Sequence, residues 1–304
     1  MNAPRRPPGR IVDGVLLLDK PQGISSNTAL QSARRQYNAL KAGHTGTLDP
    51  MATGLLPLCF GEATKFAGEL LDADKSYDAT LRLGLTTDTA DAEGQVLQTR
   101  PVQVSGEQLQ AAMARFRGEI MQLPPMHSAL KRDGKPLYQY ARQGIEVERA
   151  PRPVTIHSLQ LLEFSGDTVK LRVDCSKGTY VRTLAADIGE ALDCGAHLTA
   201  LRRTRIGKLD IGAALTLEAL AALTPEARDA RLAPADALLA DLPPLELDDE
   251  QTRRLLLGQA LPWPAPAQQE RRRVYGRGRF LGLCLVTADG LLRPQRLVAE
   301  PRQG

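Results

Sequence analysis

Apolar residues recur along this chain with two spacings, and each predicts a different kind of element. GVLLLDK (14–20) and GLLPLCFG (54–61) are unbroken apolar runs closed by turn residues, the pattern of strands buried on both faces. SYDATLRLGL (76–85) alternates instead, so Tyr77, Ala79, Leu81, Leu83 and Leu85 share one face. The hydroxyl of Tyr77 is the odd polar group on that face. VTIHSLQLLEF (154–164) and VKLRVDC (169–175) flank SGD as the arms of a hairpin, and AHLTALRRTRIG (196–207) alternates as a further strand. Helical spacing fills the gaps. Leu30, Ala33, Tyr37 and Leu40 predict a helix capped by Ser25 or Ser26 and running up to Gly43. EATKFAGELL (62–71) predicts a short helix, LQAAMARFRGEI (109–120) one that follows a Ser105/Gln108 capping box, and TYVRTLAADIGEALDCG (179–195) another. The stretch LPPMHSALKRDGKPLYQYARQG (123–144) runs from a diproline through a basic turn into a short helix that Gly144 can stop. It predicts an excursion from the core over about 124–152, placed to make contacts.

These elements predict an α/β (α+β) protein. Residues 1–250 are expected to form one large domain, a largely antiparallel mixed sheet flanked by helices. Residues 251–304 form a small β-rich domain with one short helix around Leu255 to Leu257. The acidic, Ala-, Leu- and Pro-rich stretch 223–250 predicts short helices and a connector. A chain of 304 residues buries a sizeable core without staples, and its 42% apolar and 24% charged composition excludes a disordered chain or a coiled coil. No run approaches the roughly 18 apolar residues of a membrane helix. The start, MNAPRRPPGR, lacks the apolar core of a signal peptide, which predicts cytoplasmic residence. Cys59, Cys175, Cys194 and Cys284 are widely spaced, which predicts free buried thiols and neither disulfides nor a structural metal. Cys194 and His197 in CGAH have no partner pair with zinc-ligand spacing.

Charge changes the picture by its distribution. The net charge of +4 is the sum of +4 over residues 1–210, −7 over 211–250 and +7 over 251–304. The last segment holds RRRVYGRGRF (271–280), in which five arginines are interleaved with Tyr275 and Phe280. Such a run reads equally as an electrostatic footprint for a polyanion and as a solvated charged face.

The stretch AGHTGTLDPMATGLLP (42–57) holds a lone carboxylate, Asp49, between glycines and prolines. Pro50 biases Asp49 away from helix, and Gly43, Gly46 and Gly54 permit turns that other residues resist. On local grounds Asp49 reads first as an Asx-turn or capping residue and second as a catalytic carboxylate held on a shaped loop. His44 likewise reads first as a packed or solvated side chain. The loop lacks GxxxxGK[ST], so it is no P-loop.

Four blocks in order turn these readings around: GVLLLDKPQGISS, AGHTGTLDPMATGLLPLCFGEATKF, MHSALKRDGKPLYQYARQG and CSKGTYVRTLAADIGEALDCGAHLTALRRT. Over about residues 11–207 the chain resembles the TruB family of bacterial tRNA pseudouridine synthases. The resemblance implies a pseudouridine-synthase fold followed by a small RNA-binding domain of the PUA type, the latter placed here by position and charge alone. It implies isomerisation of the T-loop uridine at position 55 of tRNA, in which the base is everted, cut from its ribose, turned and rejoined through carbon. No cofactor, metal or nucleotide energy is implied. Asp49 matches the family's catalytic aspartate, acting as nucleophile or as closely coupled base. Arg182 matches the arginine that pairs with it and keeps it ionised. Tyr77 matches the tyrosine that stacks on the flipped base, Tyr180 and Leu201 further substrate contacts, and His44 the histidine at the vacated or neighbouring nucleotide. Lys20 supports the loop. Lys131, Arg132 and Lys135, with Arg202, Arg203 and Arg205, would meet phosphates. The partner expected is the T arm of tRNA, with no membrane, no obligatory protein partner and a monomeric state. Two other readings are an RNA-binding or tRNA-folding protein in which catalysis is secondary, and a relative dependent on guide RNA.

Overall fold

The unbroken apolar runs pair with each other as buried strands at one end of the main sheet, and the loop that carries Asp49 lies just before the second of them. The computed structural model describes residues 9–299; residues 1–8, which open the N-terminal stretch read for a leader, and 300–304, with Arg302, lie outside the described residues. β1 (Gly14–Lys20) leads to α1 (Ser26–Gln36), capped by Ser25, whose hydroxyl accepts the Thr28 N–H. Such a cap contributes about 1 kcal/mol. α1 stops well short of Gly43, because Asn38 turns the chain with φ of 48°, a conformation Asn tolerates, and Leu40 is left exposed. After β2 (Ala42–His44) and the glycine-rich loop, β3 (Thr53–Phe60) is buried almost throughout. The next segment winds into a 3-10 helix (Gly61–Leu71).

β4 (Lys75–Leu83) keeps the predicted alternation with Tyr77, Ala79, Leu81 and Leu83 buried. Gly84, at φ of 86°, then breaks it, and Leu85 starts a two-stranded ribbon of β5 (Leu85–Thr87) and β6 (Val96–Thr99). α2 (Gly106–Ala114) opens with the expected Ser105/Gln108 capping box and leads to β7 (Gly118–Gln122). The excursion holds a small hairpin, β8 (Lys131–Arg132) with β9 (Lys135–Pro136), and α3 (Leu137–Ala141). β10 (Arg152–Ser165) and β11 (Thr168–Cys175) form the hairpin read from the sequence. α4 (Val181–Ala191), β12 (Ala196–Ile206) and β13 (Leu209–Asp210) follow.

One sheet of nine strands results, ordered β1-β3-β12-β4-β11-β10-β7, with β2 beside β3 and β13 beside β12. Every pair is antiparallel except β12 with β3, which makes the sheet mixed. α5 (Leu217–Ala221) precedes the acidic stretch and α6 (Pro225–Asp229) lies in it, and Arg228 of α6 bonds back to the end of α1.

The second sheet is ordered β14-β16-β17-β18-β15, from β14 (Pro244–Leu247), β15 (Leu261–Pro262), β16 (Glu270–Gly276), β17 (Arg279–Thr287) and β18 (Leu291–Leu297), with α7 (Asp249–Leu256) against it. β14 and the start of α7 precede residue 251, so a border drawn where the arginines begin cuts through the sheet: charge marks composition, whereas pairing decides membership. The two halves share an apolar seam in which Phe66 meets Phe280 edge-on at 5.4 Å and Leu283 joins the cluster around Leu55 and Leu238. The arginine run lies partly along this seam. Arg271 pairs with Glu69 at 2.6 Å, Arg273 donates to the Leu242 carbonyl at 2.8 Å, Arg272 pairs with Glu270, and Arg277 pairs with Asp249 at 2.8 Å. Much of the charge read as a polyanion footprint is thus matched within the chain.

Candidate active site

The loop between β2 and β3 is fixed from below before its carboxylate is presented. Lys20, fully buried at the end of β1, donates to the carbonyls of Pro21 at 2.8 Å, Ile24 at 2.7 Å and Pro50 at 3.4 Å. Burial pushes its pKa down to about 8, against the pull of Asp49. The hydroxyl of Ser26, in the first turn of α1, accepts the Leu48 N–H at 2.8 Å and donates to the Leu48 carbonyl at 3.0 Å. The Gly23 N–H reaches Pro50 O at 2.8 Å, and the Ala52 N–H closes a turn on Asp49 O at 3.1 Å. Asp49 therefore does sit in a turn, and its side chain is left over for the cleft.

That side chain meets Arg182, whose Nε lies 3.1 Å from Asp49 Oδ2. Arg182 is in the first turn of α4, 5% exposed, and also lies 3.3 Å from the Asp91 carboxylate. Its remaining donors go to the carbonyls of Thr89 at 3.2 Å and His127 at 2.8 Å, so the guanidinium is held flat and cannot follow Asp49 elsewhere. Gln122 of β7 fixes the start of the helix by accepting the Tyr180 N–H at 2.7 Å and donating to the Tyr180 carbonyl at 3.1 Å. Burial raises the Asp49 pKa, Asp91 adds to the rise, and Arg182, Lys20 and His127 oppose it, with burial ahead. Arg182 is the largest of the influences that favour the charged form of Asp49 against burial.

Asp49, Tyr77, Tyr180, Leu201, His44 and Arg182 all line one cleft of about 790 Å³, a volume suited to a nucleotide. Tyr77 and Leu201 are each 8% exposed and form its apolar floor. His44 is half-buried, accepts the Gly46 N–H on Nδ1 at 3.4 Å, and has its pKa lowered by burial and by Arg203. Asp91, which also lines the cleft, was missed, and Arg203 was read as a phosphate contact. The signal for Asp91 was faint: an acidic turn after a strand break, in DTADAEG (88–94).

The basic residues divide. Arg203 is 2% exposed, so the phosphate contact read for it does not match where it stands, whereas Arg202, beside Asp19 at 2.6 Å, and Arg205, beside Asp174 at 3.2 Å, stay partly exposed. The strand alternation that looked like a basic surface turns one of them inward and gives the others acidic neighbours. Arg132 donates to the Glu148 carbonyl at 2.6 Å. Lys131 and Lys135 are exposed on the β8–β9 hairpin.

Solved structures share this architecture. The chain superposes on a structure of an H/ACA RNP bound to a substrate RNA containing 2'-deoxyuridine with a TM-score of 0.74 and 25% identity, covering 96% of this chain and 87% of that one. It also superposes on a chain of an archaeal box H/ACA sRNP Nop10-Cbf5 complex, again at 0.74, with 26% identity and coverage of 96% and 88%. Family models place the chain more closely. Residues 34–181 match the TruB family pseudouridylate synthase N-terminal domain, 182–240 the tRNA pseudouridylate synthase B C-terminal domain, and 243–298 the pseudouridine synthase II TruB C-terminal model. Among relatives named tRNA pseudouridine synthase B, that of Aromatoleum aromaticum is 63% identical over 290 residues, 95% of this chain and 94% of its own. That of Ralstonia pickettii is 60% identical over 309 residues, 97% of each. The chain belongs to the TruB family of pseudouridylate synthases.

Proposed function

We propose that this protein is a tRNA pseudouridine synthase that isomerises the T-loop uridine of tRNA. The observation that carries the reading is the Asp49–Arg182 pair at 3.1 Å in a nucleotide-sized cleft floored by Tyr77 and Leu201, in a chain of this family. The reaction breaks the bond from C1' of the ribose to N1 of uracil and forms one from C1' to C5. The proton lost from C5 is balanced by the proton gained at N1. Such an exchange draws on a nucleophile or base beside the sugar, and Asp49 supplies it, with Arg182 opposing protonation and fixing direction. A buried target base must leave the stack, and Tyr77, Tyr180 and Leu201 offer it a flat apolar seat, with His44 beside it. Lys131 and Lys135 on the excursion reach toward phosphates. Lys20 holds the loop that carries Asp49.

Purified protein incubated with an unmodified tRNA transcript, followed by mapping of pseudouridine nucleotide by nucleotide, tests this. The expected outcome is one modified site in the T loop. The likeness to H/ACA particles favours one second reading, in which accessory RNA or protein is required. Turnover by this chain alone on a bare transcript excludes it, and binding without turnover restores the reading of a tRNA-folding protein.

A further inference from the structure

Arg203 lies near the centre of the nine-stranded sheet. It stands directly opposite Tyr77 in the β12–β4 ladder and opposite Gly54 in the parallel β12–β3 pair. At 2% exposure it is among the largest fully buried side chains, yet no carboxylate among the described residues pairs with it, while Arg202 and Arg205 on either side have Asp19 and Asp174. A buried guanidinium without a counter-ion is costly, and apolar residues of similar volume fill such a place more cheaply. Its hydrogen bonds show what it does instead. Nε donates to the Leu55 carbonyl at 2.8 Å and Nη2 to the Gly46 carbonyl at 3.3 Å. Gly46 lies in the loop three residues before Asp49, and Leu55 lies just past the loop's end in β3.

We propose that Arg203 is a positioning residue for this site: a two-armed cationic clamp that ties both ends of the Asp49 loop to the strand facing Tyr77. The planar fork suits the task because its two arms fix direction as well as distance. The charge has a second effect. It lowers the pKa of His44, which bonds to the same Gly46, and it opposes the burial that raises the pKa of the Tyr77 phenol. It also lowers those of Lys20 and Lys75. The cation thus favours the neutral imidazole on one side and attracts the phenol oxygen on the other.

The kinetic arm of the test rests on the function proposed above, whereas the titration arm does not. In the full-length chain, Arg203→Met should raise the pKa of His44, read by NMR of the ring protons and assigned with His44→Asn. It should lower kcat on tRNA about 30-fold with KM changed less than about threefold. Arg203→Lys keeps the charge and loses the fork, so His44 should titrate as in the unaltered chain while kcat recovers only in part. A folded Arg203→Met with an unmoved His44, or with kcat within about twofold, overturns the proposal. If Arg203→Met does not fold, Arg203→Lys decides: wild-type kcat defeats the clamp, and a partial loss with an unchanged His44 supports it. Should the unaltered chain form no pseudouridine, the functional reading fails and the His44 titration alone judges the clamp.

Discussion

In the cleft of the nine-stranded sheet one guanidinium, that of Arg182, faces two carboxylates. In the five-stranded sheet Arg271, Arg272 and Arg277 each have an acid of their own, Glu69, Glu270 and Asp249. Surroundings separate these arginines more than formal charge does. Arg182 is 5% exposed, against 40% for Arg271 and 64% for Arg277. An exposed pair contributes on the order of 0.5 kcal/mol and is screened by salt. The buried cation of Arg182 opposes the rise that burial gives the Asp49 pKa. Density of arginine in a sequence is therefore a poor guide to where its field acts. The terminal sheet has an apolar core of its own around Leu255, Val274 and Leu292, and meets the other half along the seam of Phe66, Phe280 and Leu283.

The comparison is broken most directly at Asp49. Asp49→Asn keeps the shape of the loop and should lower product formation by about a thousandfold or more while tRNA affinity stays within about threefold. Residual turnover near the unaltered rate would show that the carboxylate is a turn residue after all. Arg182 comes next, through pH. Because burial raises the Asp49 pKa, activity should fall as pH drops through a value above the usual carboxylate range of about 4. Arg182→Met removes an influence that lowers this pKa, so the acid limb should move to higher pH, with kcat down about a hundredfold. Asp91→Asn removes one that raises it, so the limb should move to lower pH. Limbs that shift together in one direction would break the shared-cation picture.

Lys20 sharpens the same picture on the alkaline side. Its ammonium serves three carbonyls and its pKa is pushed down to about 8, so above that pH it loses a donor and kcat should decline. Stability should respond with the opposite sign. Between about 8 and the unfolded value near 10.5 the unfolded chain binds the extra proton, so this group's contribution favours the folded state increasingly as pH rises. Activity falling while thermal stability holds would separate loop support from global unfolding. The smallest effect concerns salt. Lys131→Ala and Lys135→Ala should each reduce the slope of log affinity against log salt by about 1, whereas Arg277→Ala, already matched by Asp249, should leave it unchanged. Equal slopes would return the terminal arginines to the RNA surface.

Strands built from continuous apolar runs, the hairpin around SGD and the Ser105 capping box were all legible, because each depends on residues close in sequence. The end of α1 was not, since one left-handed residue, Asn38, outweighed the spacing of Tyr37 and Leu40. In the cleft, the loop of Asp49 announced itself through glycines and prolines, and His44, Tyr77, Tyr180, Arg182 and Leu201 through family resemblance. Asp91 and the inward position of Arg203 stayed hidden for a physical reason: a buried charge is defined by what surrounds it in space. Its partners come from β3, β4, α4 and the loop, at sequence distances no local pattern spans.

A Cβ at Gly54 would lie 2.3 Å from the carbonyl oxygen of Arg203 and 2.8 Å from its nitrogen. Backbone presses on backbone at the exit of the loop, where the sheet makes its single parallel step. Changes in the length or composition of the loop must therefore be absorbed upstream, near its glycine-rich entry. The side from which Asp49 is delivered into the cleft is set at a point that admits no side chain of any kind.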